Sequence, residues 1–259
     1  VRERGFALLI VLWSMALLGL LGTRITAAGR TDAVEAEAVA ARASLSAAAD
    51  GAVSEAIMRV LTGEWPADGR TRDLGPVRVR VEDEAGRINV NVAPPGLLAA
   101  LLLALGRPAD QAVTLAAAIT DWHTPTTRAE PNGAKAPAYR AAGLDYGPRN
   151  APFQSIGELG LVLGMTPEIL AALKPHVTVF TEGDVDRSIA DPAVQEAIVR
   201  FGGNVVPVGL GLTATSRLVR ISAVASGNGD SRFERVAVVR ISVVADAEDP
   251  LVKVLAWGS

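Results

Sequence analysis

The sequence has no cysteine, which excludes a disulfide framework and thiolate metal sites and leaves the compartment open. Histidine is nearly absent too. His123 and His176 are the only two, and neither belongs to an HExxH motif. GxSxG and GxxxxGK(S/T) are also missing, so no nucleophile, base or phosphate loop is assembled and the chain reads as a non-enzyme. Gly209-Leu-Gly-Leu lacks the third glycine and the strand-turn-helix setting of a phosphate loop. Aromatic residues make up only 4%, so the core must rest on many small aliphatic contacts. No charge of one sign dominates: the net charge of −3 gives no global reason to expect a nucleic-acid partner. The 49% apolar content excludes a disordered protein. A chain of 259 residues has room for one large domain or two small ones.

What is present is concentrated at the N-terminus. Residues 6–22, FALLIVLWSMALLGLLG, form an uncharged apolar run of 17 residues, followed by Thr23 and Arg24. At ~1.5 Å per residue the run reaches roughly 26 Å, just short of a ~30 Å hydrocarbon core. Thr23 and a snorkelling Arg24 can close the gap. A secretory signal peptide is the alternative, with Arg2 and Arg4 as its basic region and a small-residue cleavage site near Thr26-Ala27-Ala28. Against it, the run is longer than a usual signal core, and helical patterning continues through Ala38, Leu45, Ala52 and Val60, with no proline until Pro66. One helix from Phe6 to Leu61 would be roughly 84 Å long, apolar all round at first and amphipathic later. Ala16, Gly19 and Gly22 offer small faces for close helix packing.

An Arg-bearing stretch ending in Gly5, then Phe6 and a long apolar helix, resembles the cleavage site of type IV prepilin-like proteins. The resemblance implies peptidase cleavage after Gly5 and methylation of the new amine on Phe6. The Glu usual five positions after the cut is Ile10 here. In the family that carboxylate is thought to pair with a neighbouring subunit's N-terminal amine, a partner that a subunit leading the fibre lacks. Ile10 therefore points toward the K-type minor pseudopilins of type II secretion systems.

Beyond the helix, PVRVRVE at 76–82 alternates with the period of a half-buried strand. Three further strand candidates lie at 216–225, 232–244 and 251–257, the first two joined through Gly227-Asn228-Gly229-Asp230, a hairpin signal. These predict an antiparallel sheet against the amphipathic half of the helix. Helices are predicted at 95–105, 109–122, 155–163 and 167–173, with Thr166 placed to cap the last. Residues 123–150, with four prolines and three glycines, read as a long functional or ion-held loop. A weak repeat pairs 87–105 with 185–201, each an extended stretch leading through a proline turn into a helix. Asp83-Glu-Ala-Gly-Arg-Ile-Asn-Val-Asn-Val-Ala-Pro resembles the segment opening the helical insertion of K-type pseudopilins, and Tyr146-Gly-Pro-Arg-Asn-Ala-Pro-Phe through Val177-Thr-Val resembles the segment closing it.

The resemblance also raises calcium, which K-type pseudopilins bind in an acidic loop after an Asp-Trp pair. Asp121-Trp122 matches, and Asp121, Glu130, Asn132 and Asp145 are the oxygen donors of note. Arg128 and Lys135 oppose them, Lys135 standing where the family tends to carry Glu, so a solvated loop remains the alternative. Residues 159–174 resemble a helix-hairpin-helix, which can grip phosphates, but Glu158 and Glu168 flank its hairpin and Lys174 is the nearby cation. His176 reads as a packed or surface residue, and His123 as a helix-end residue.

The fold expected is α+β: a long pilin-like helix on an antiparallel sheet, with an inserted all-helical domain like a SAM or helix-hairpin-helix domain. The domains expected are a leader at 1–5, a membrane helix at 6–24, helix and first strand at 25–93, the insertion at 94–180 and the rest of the head at 181–259. The resemblance implies a tip subunit of the pseudopilus, initiating assembly for protein export. Its partners would be I- and J-type minor pseudopilins, the prepilin peptidase and the bacterial inner membrane, crossed once with the C-terminal domain in the periplasm. The alternative is an exported helix-hairpin-helix DNA-binding module or a minor pilin of a DNA-uptake or type IV pilus system.

Overall fold

The computed structural model describes residues 3–182, 185–202, 216–242 and 251–258, with side chains of the first helix described at 6, at 9–20 and from 35 onward. Gly209-Leu-Gly-Leu and positions 243–244 lie outside these.

The continuous N-terminal pattern folds as one helix, α1 (Glu3–Leu61), of 59 residues and about 88 Å. Its C-terminal part buries Ala49, Ala52, Val53 and Ala56, whose spacing of three and four places them on one stripe. Leu45, Ala48, Ile57 and Val60 widen that stripe. Toward the other end every described side chain from Phe6 to Leu20 is exposed.

Two strands follow, β1 (Asp68–Leu74) and β2 (Val77–Asp83), turning at Gly75 with φ of 58°. In β2 the alternation is realised: Val77, Val79 and Val81 are buried against α1, while Arg78 and Arg80 face outward. The chain then leaves the sheet through β3 (Ile88–Asn89). It builds α2 (Pro95–Ala104), α3 (Ala109–His123), α4 (Ala136–Ala141) and α5 (Pro167–Leu173). It returns through β4 (Val177–Thr178), paired in parallel with β3, and α6 (Pro192–Arg200) packs back on α2. The C-terminal strands β5 (Ser216–Ser226), β6 (Arg232–Ser242) and β7 (Val252–Gly258) complete an antiparallel sheet of order β1-β2-β5-β6-β7. The β5–β6 hairpin closes on the Gly227 N–H donating to the Ser231 carbonyl at 2.8 Å. The architecture is the expected α+β one.

Two cores result. Valines and alanines of the sheet interlock with α1, while Leu98, Leu101, Leu102, Ile119, Tyr139, Leu159 and Leu173 fill a separate helical core. That helical core also takes in Ile88 and Val90 before, and Val194, Ala197 and Ile198 after, the 94–180 span drawn from the sequence.

Some elements differ from expectation. Residues 155–163 form no α-helix but a 3-10 turn, Ile156–Leu161, because Gly157 and Gly160 weaken helix propagation in so short a segment. The Thr166 hydroxyl does cap α5, accepting the Ile169 N–H at 3.3 Å. α4 lies inside the stretch read as loop, entered through Pro137 in its first turn.

Candidate functional site

Three segments converge where the helical unit meets the sheet. Asn91 pairs with the Phe153 backbone on both sides, donating to its carbonyl at 3.0 Å and accepting its N–H at 2.7 Å. Asn89 donates to the Thr181 carbonyl and accepts the Asn91 N–H at 2.8 Å. The Asn-Val-Asn stretch thus ties the opening segment of the helical unit to both closing segments. Beside it, Glu84 is fully buried and bound by Arg220, with Arg87 Nε 3.8 Å away. Arg87 donates to the Pro175 carbonyl and to Glu82 Oε2 at 2.9 Å. Burial pulls the Arg87 guanidinium below its ordinary value; Glu84 opposes that, Arg220 adds to it, and Glu82 and Asp191 oppose it. His176 Nδ1 lies 2.7 Å from Asp191 Oδ2, a packed position at this same junction.

The second constellation is the loop after α3. Asp121 is fully buried, and both its carboxylate oxygens accept the Glu130 N–H at 3.2 Å. Its neighbour Trp122 stacks on Phe153 with centroids 6.1 Å apart, and Tyr139 tilts against Trp122 at 6.0 Å. The Tyr139 hydroxyl accepts the Leu163 N–H at 2.9 Å, and burial pushes its pKa up to about 12. His123 is held below its ordinary value, first by burial and then by Lys135, with Asp121 opposing.

Of the four oxygen donors singled out for calcium, only Asp121 points inward; Glu130, Asn132 and Asp145 are exposed. Glu130 and Asn132 belong to a turn closed by the Gly133 N–H on the Glu130 carbonyl at 2.8 Å, with Asn132 at φ 64° after Pro131, the pattern of a type II turn. Among the described residues no group of three or more His, Asp or Glu could hold a metal ion. Instead the Lys135 ammonium lies against Asp121, 3.9 Å from Oδ1. A cation needing six to eight oxygens does not fit a site whose inward carboxylate faces a lysine. The residue that sequence reasoning treated as an opponent is the one placed at the centre.

The N-terminal positions have a different setting. Gly5 is inside α1, and Phe6 and Ile10 project from it, 69% and 50% exposed. Among the described residues no helix is long and apolar enough to cross a membrane. The described exposed stretch from Leu9 to Leu20 spans about 18 Å.

Comparison with known proteins bears on these features. Over 208 residues the chain is 28% identical to "Type II secretion system protein K" of Klebsiella pneumoniae, covering 70% of this chain and 64% of that protein. Residues 80–182 match the family model for type II secretion system (T2SS) protein K. What the chain is similar to across this span is type II secretion protein K. The matched span runs from β2 through the helical unit to Glu182, and so takes in the Asn-Val-Asn junction and the Asp121 loop. The fold is seen again in a chain of the solved GspK-GspI-GspJ complex from enterotoxigenic Escherichia coli. That chain is 17% identical with a TM-score of 0.56, over 82% of this chain and 93% of that one. The match does not favour the DNA-binding alternative, and the contacts of the hairpin agree with it. Glu158 engages Arg149 at 2.9 Å and the Gln154 N–H at 2.6 Å, so the hairpin's flank is acidic and spoken for.

Proposed function

We propose that this protein K homologue is a minor pseudopilin at the tip of the type II secretion pseudopilus, with an assembly role rather than a catalytic one. The observation that carries the reading is the division of α1. From Leu45 to Val60 it is seated on the sheet, whereas from Phe6 to Leu20 its described side chains are exposed and belong to neither core. Leu9, Trp13, Met15 and Leu18 on such a projection demand an apolar cover. Residues 6–24 in a bilayer, and later against neighbouring subunit helices, supply one. Cleavage after Gly5 with methylation of Phe6 would prepare the helix for that exchange. Ile10, having no carboxylate to neutralise, suits a subunit with no neighbour ahead of it.

In this reading the chain crosses the bacterial inner membrane once, with residues beyond Arg24 in the periplasm. Its partners are I- and J-type minor pseudopilins, such as those crystallised with the Escherichia coli structural relative. Mass spectrometry of the mature chain, co-expressed with a prepilin peptidase, is expected to find N-methyl-Phe6. A mature start near Ala28 would sink the anchor. Purified with I- and J-type subunits, the chain should elute as a ternary complex, and persistent elution alone would sink the tip assignment.

A further inference from the structure

We infer that the Lys135 ammonium is a built-in cation that closes the Asp121 loop, so that this chain holds its helical unit together without a bound metal. Lysine offers three N–H donors and no acceptor. Lys135 Nζ spends them on three oxygens: the Asp121 carbonyl at 2.5 Å, the Thr124 carbonyl at 2.7 Å and Asn150 Oδ1 at 3.0 Å. Donor and acceptor numbers match, and the side chain is only 5% exposed. The Asp121 carboxylate at 3.9 Å balances the charge.

The place is one that calls for a cation. Asp121 and Trp122 lie in the last turn of α3, where carbonyls lose their intrahelical partners and the dipole is negative. The Thr120 carbonyl is taken by the Thr124 N–H at 3.1 Å and the Trp122 carbonyl by the Asn150 N–H at 2.8 Å. Lys135 takes the Asp121 carbonyl and the Thr124 carbonyl just beyond the helix. One side chain thereby joins the end of α3, the far end of the loop at Asn150 and the start of α4, which Lys135 itself precedes. A divalent ion would compete for the same oxygens, at ~2.3–2.6 Å, against a positive charge already fixed among them. It would also have to recruit further oxygens from side chains that face solvent.

The test uses the full chain in detergent micelles, with CaCl2 and EDTA as probes. Calcium at about 5 mM is expected to leave the wild-type Tm within ~1 °C of its value in EDTA. Lys135→Met should lower Tm by roughly 6 °C or more, and calcium should not restore it, because the inward carboxylate stands alone. Lys135→Glu adds a second carboxylate to the cage, and calcium should raise its Tm by roughly 4 °C or more over EDTA. A wild-type Tm that climbs by that amount in calcium and falls back in EDTA would overturn the inference. So would a Lys135→Met protein as stable as wild type, or a folded Lys135→Glu protein indifferent to calcium. If Lys135→Glu does not fold, the wild-type titration and Lys135→Met decide the matter.

Discussion

At the scale of single residues, the Asp121 loop is specified by what its neighbours cannot be. A Cβ on Gly133 would stand 2.1 Å from Asp121 Oδ2 and 3.1 Å from the Glu130 carbonyl, and neither can retreat without breaking the loop's hydrogen bonds. Gly133→Ala is therefore expected to cost about 2–3 kcal/mol, read as a lowered urea midpoint with unchanged slope. Tyr139 gives a pH signature. Its pKa is raised from an ordinary value near 10 to about 12, so the folded state keeps a proton that the unfolded chain releases. The stability it contributes is complete below pH 10 and drains away as pH rises toward 12. Tyr139→Phe should flatten that part of the profile, at a cost of about 1–3 kcal/mol at pH 7 from the orphaned Leu163 N–H. An identical alkaline profile in the variant would refute the assignment. Little of this was legible in the sequence. Asp121 and Trp122 stood out as a pair, but Lys135, fourteen positions on, carried only a sign of charge until the fold put its Nζ among three oxygens.

At the scale of elements, α1 carries two positions with opposite expectations. Gly51 is exposed in mid-helix, with nothing within 4 Å of where a Cβ would stand. Gly51→Ala removes unfolded-state freedom at no steric cost and should stabilise the head by about 0.5–1 kcal/mol. Two residues on, Val53 is fully buried between helix and sheet. Val53→Ala should lose about 1–3 kcal/mol by leaving a void, whereas Val39→Ala, on the exposed part, should fall within about 0.5 kcal/mol. Paired thermal melts check all three; equal effects at 39 and 53 would mean that the helix is not seated as described. These elements also explain which parts of the fold the sequence could disclose. The helix stripe, the Val-Arg alternation of β2 and the Gly-Asn-Gly hairpin each repeat with a period that local geometry dictates. By contrast β1, Asp-Gly-Arg-Thr-Arg-Asp-Leu, is an edge strand with little to bury and so shows no apolar alternation. β3 and β4 are two residues each, too short for any period, and exist because the ends of the helical unit come together. α4 hides among prolines because its Pro137 marks a helix start as readily as a loop.

At the scale of the whole molecule, two cores share one chain, and what couples them is chiefly ionic. Arg220 of β5 reaches Glu84 just beyond β2, and Arg87 runs from Glu82 of β2 to the Pro175 carbonyl of the helical unit. Glu84 is the pivot, because it is fully buried and lies against both Arg220 and Arg87. Its second oxygen and Arg220 Nη2 find no protein partner among the described residues, so the pair is held by charge more than by saturated hydrogen bonding. Removing the carboxylate alone leaves the largely buried Arg220 without its partner and exposed to the charge of Arg87. Glu84→Gln should then cost about 3–5 kcal/mol, more than the lost bond itself. The loss should also be uneven. The helical unit, with its own leucine core, ought to melt apart from the sheet, splitting one calorimetric transition into two. Replacing both partners tests whether the charge is the cause: Glu84→Leu with Arg220→Met removes the unpaired guanidinium and should recover most of the loss, a coupling of at least about 1 kcal/mol in a double-mutant cycle. A single sharp transition in Glu84→Gln, or additive losses in the double variant, would show instead that the coupling of the two cores does not depend on the ion cluster, which would then be a passenger.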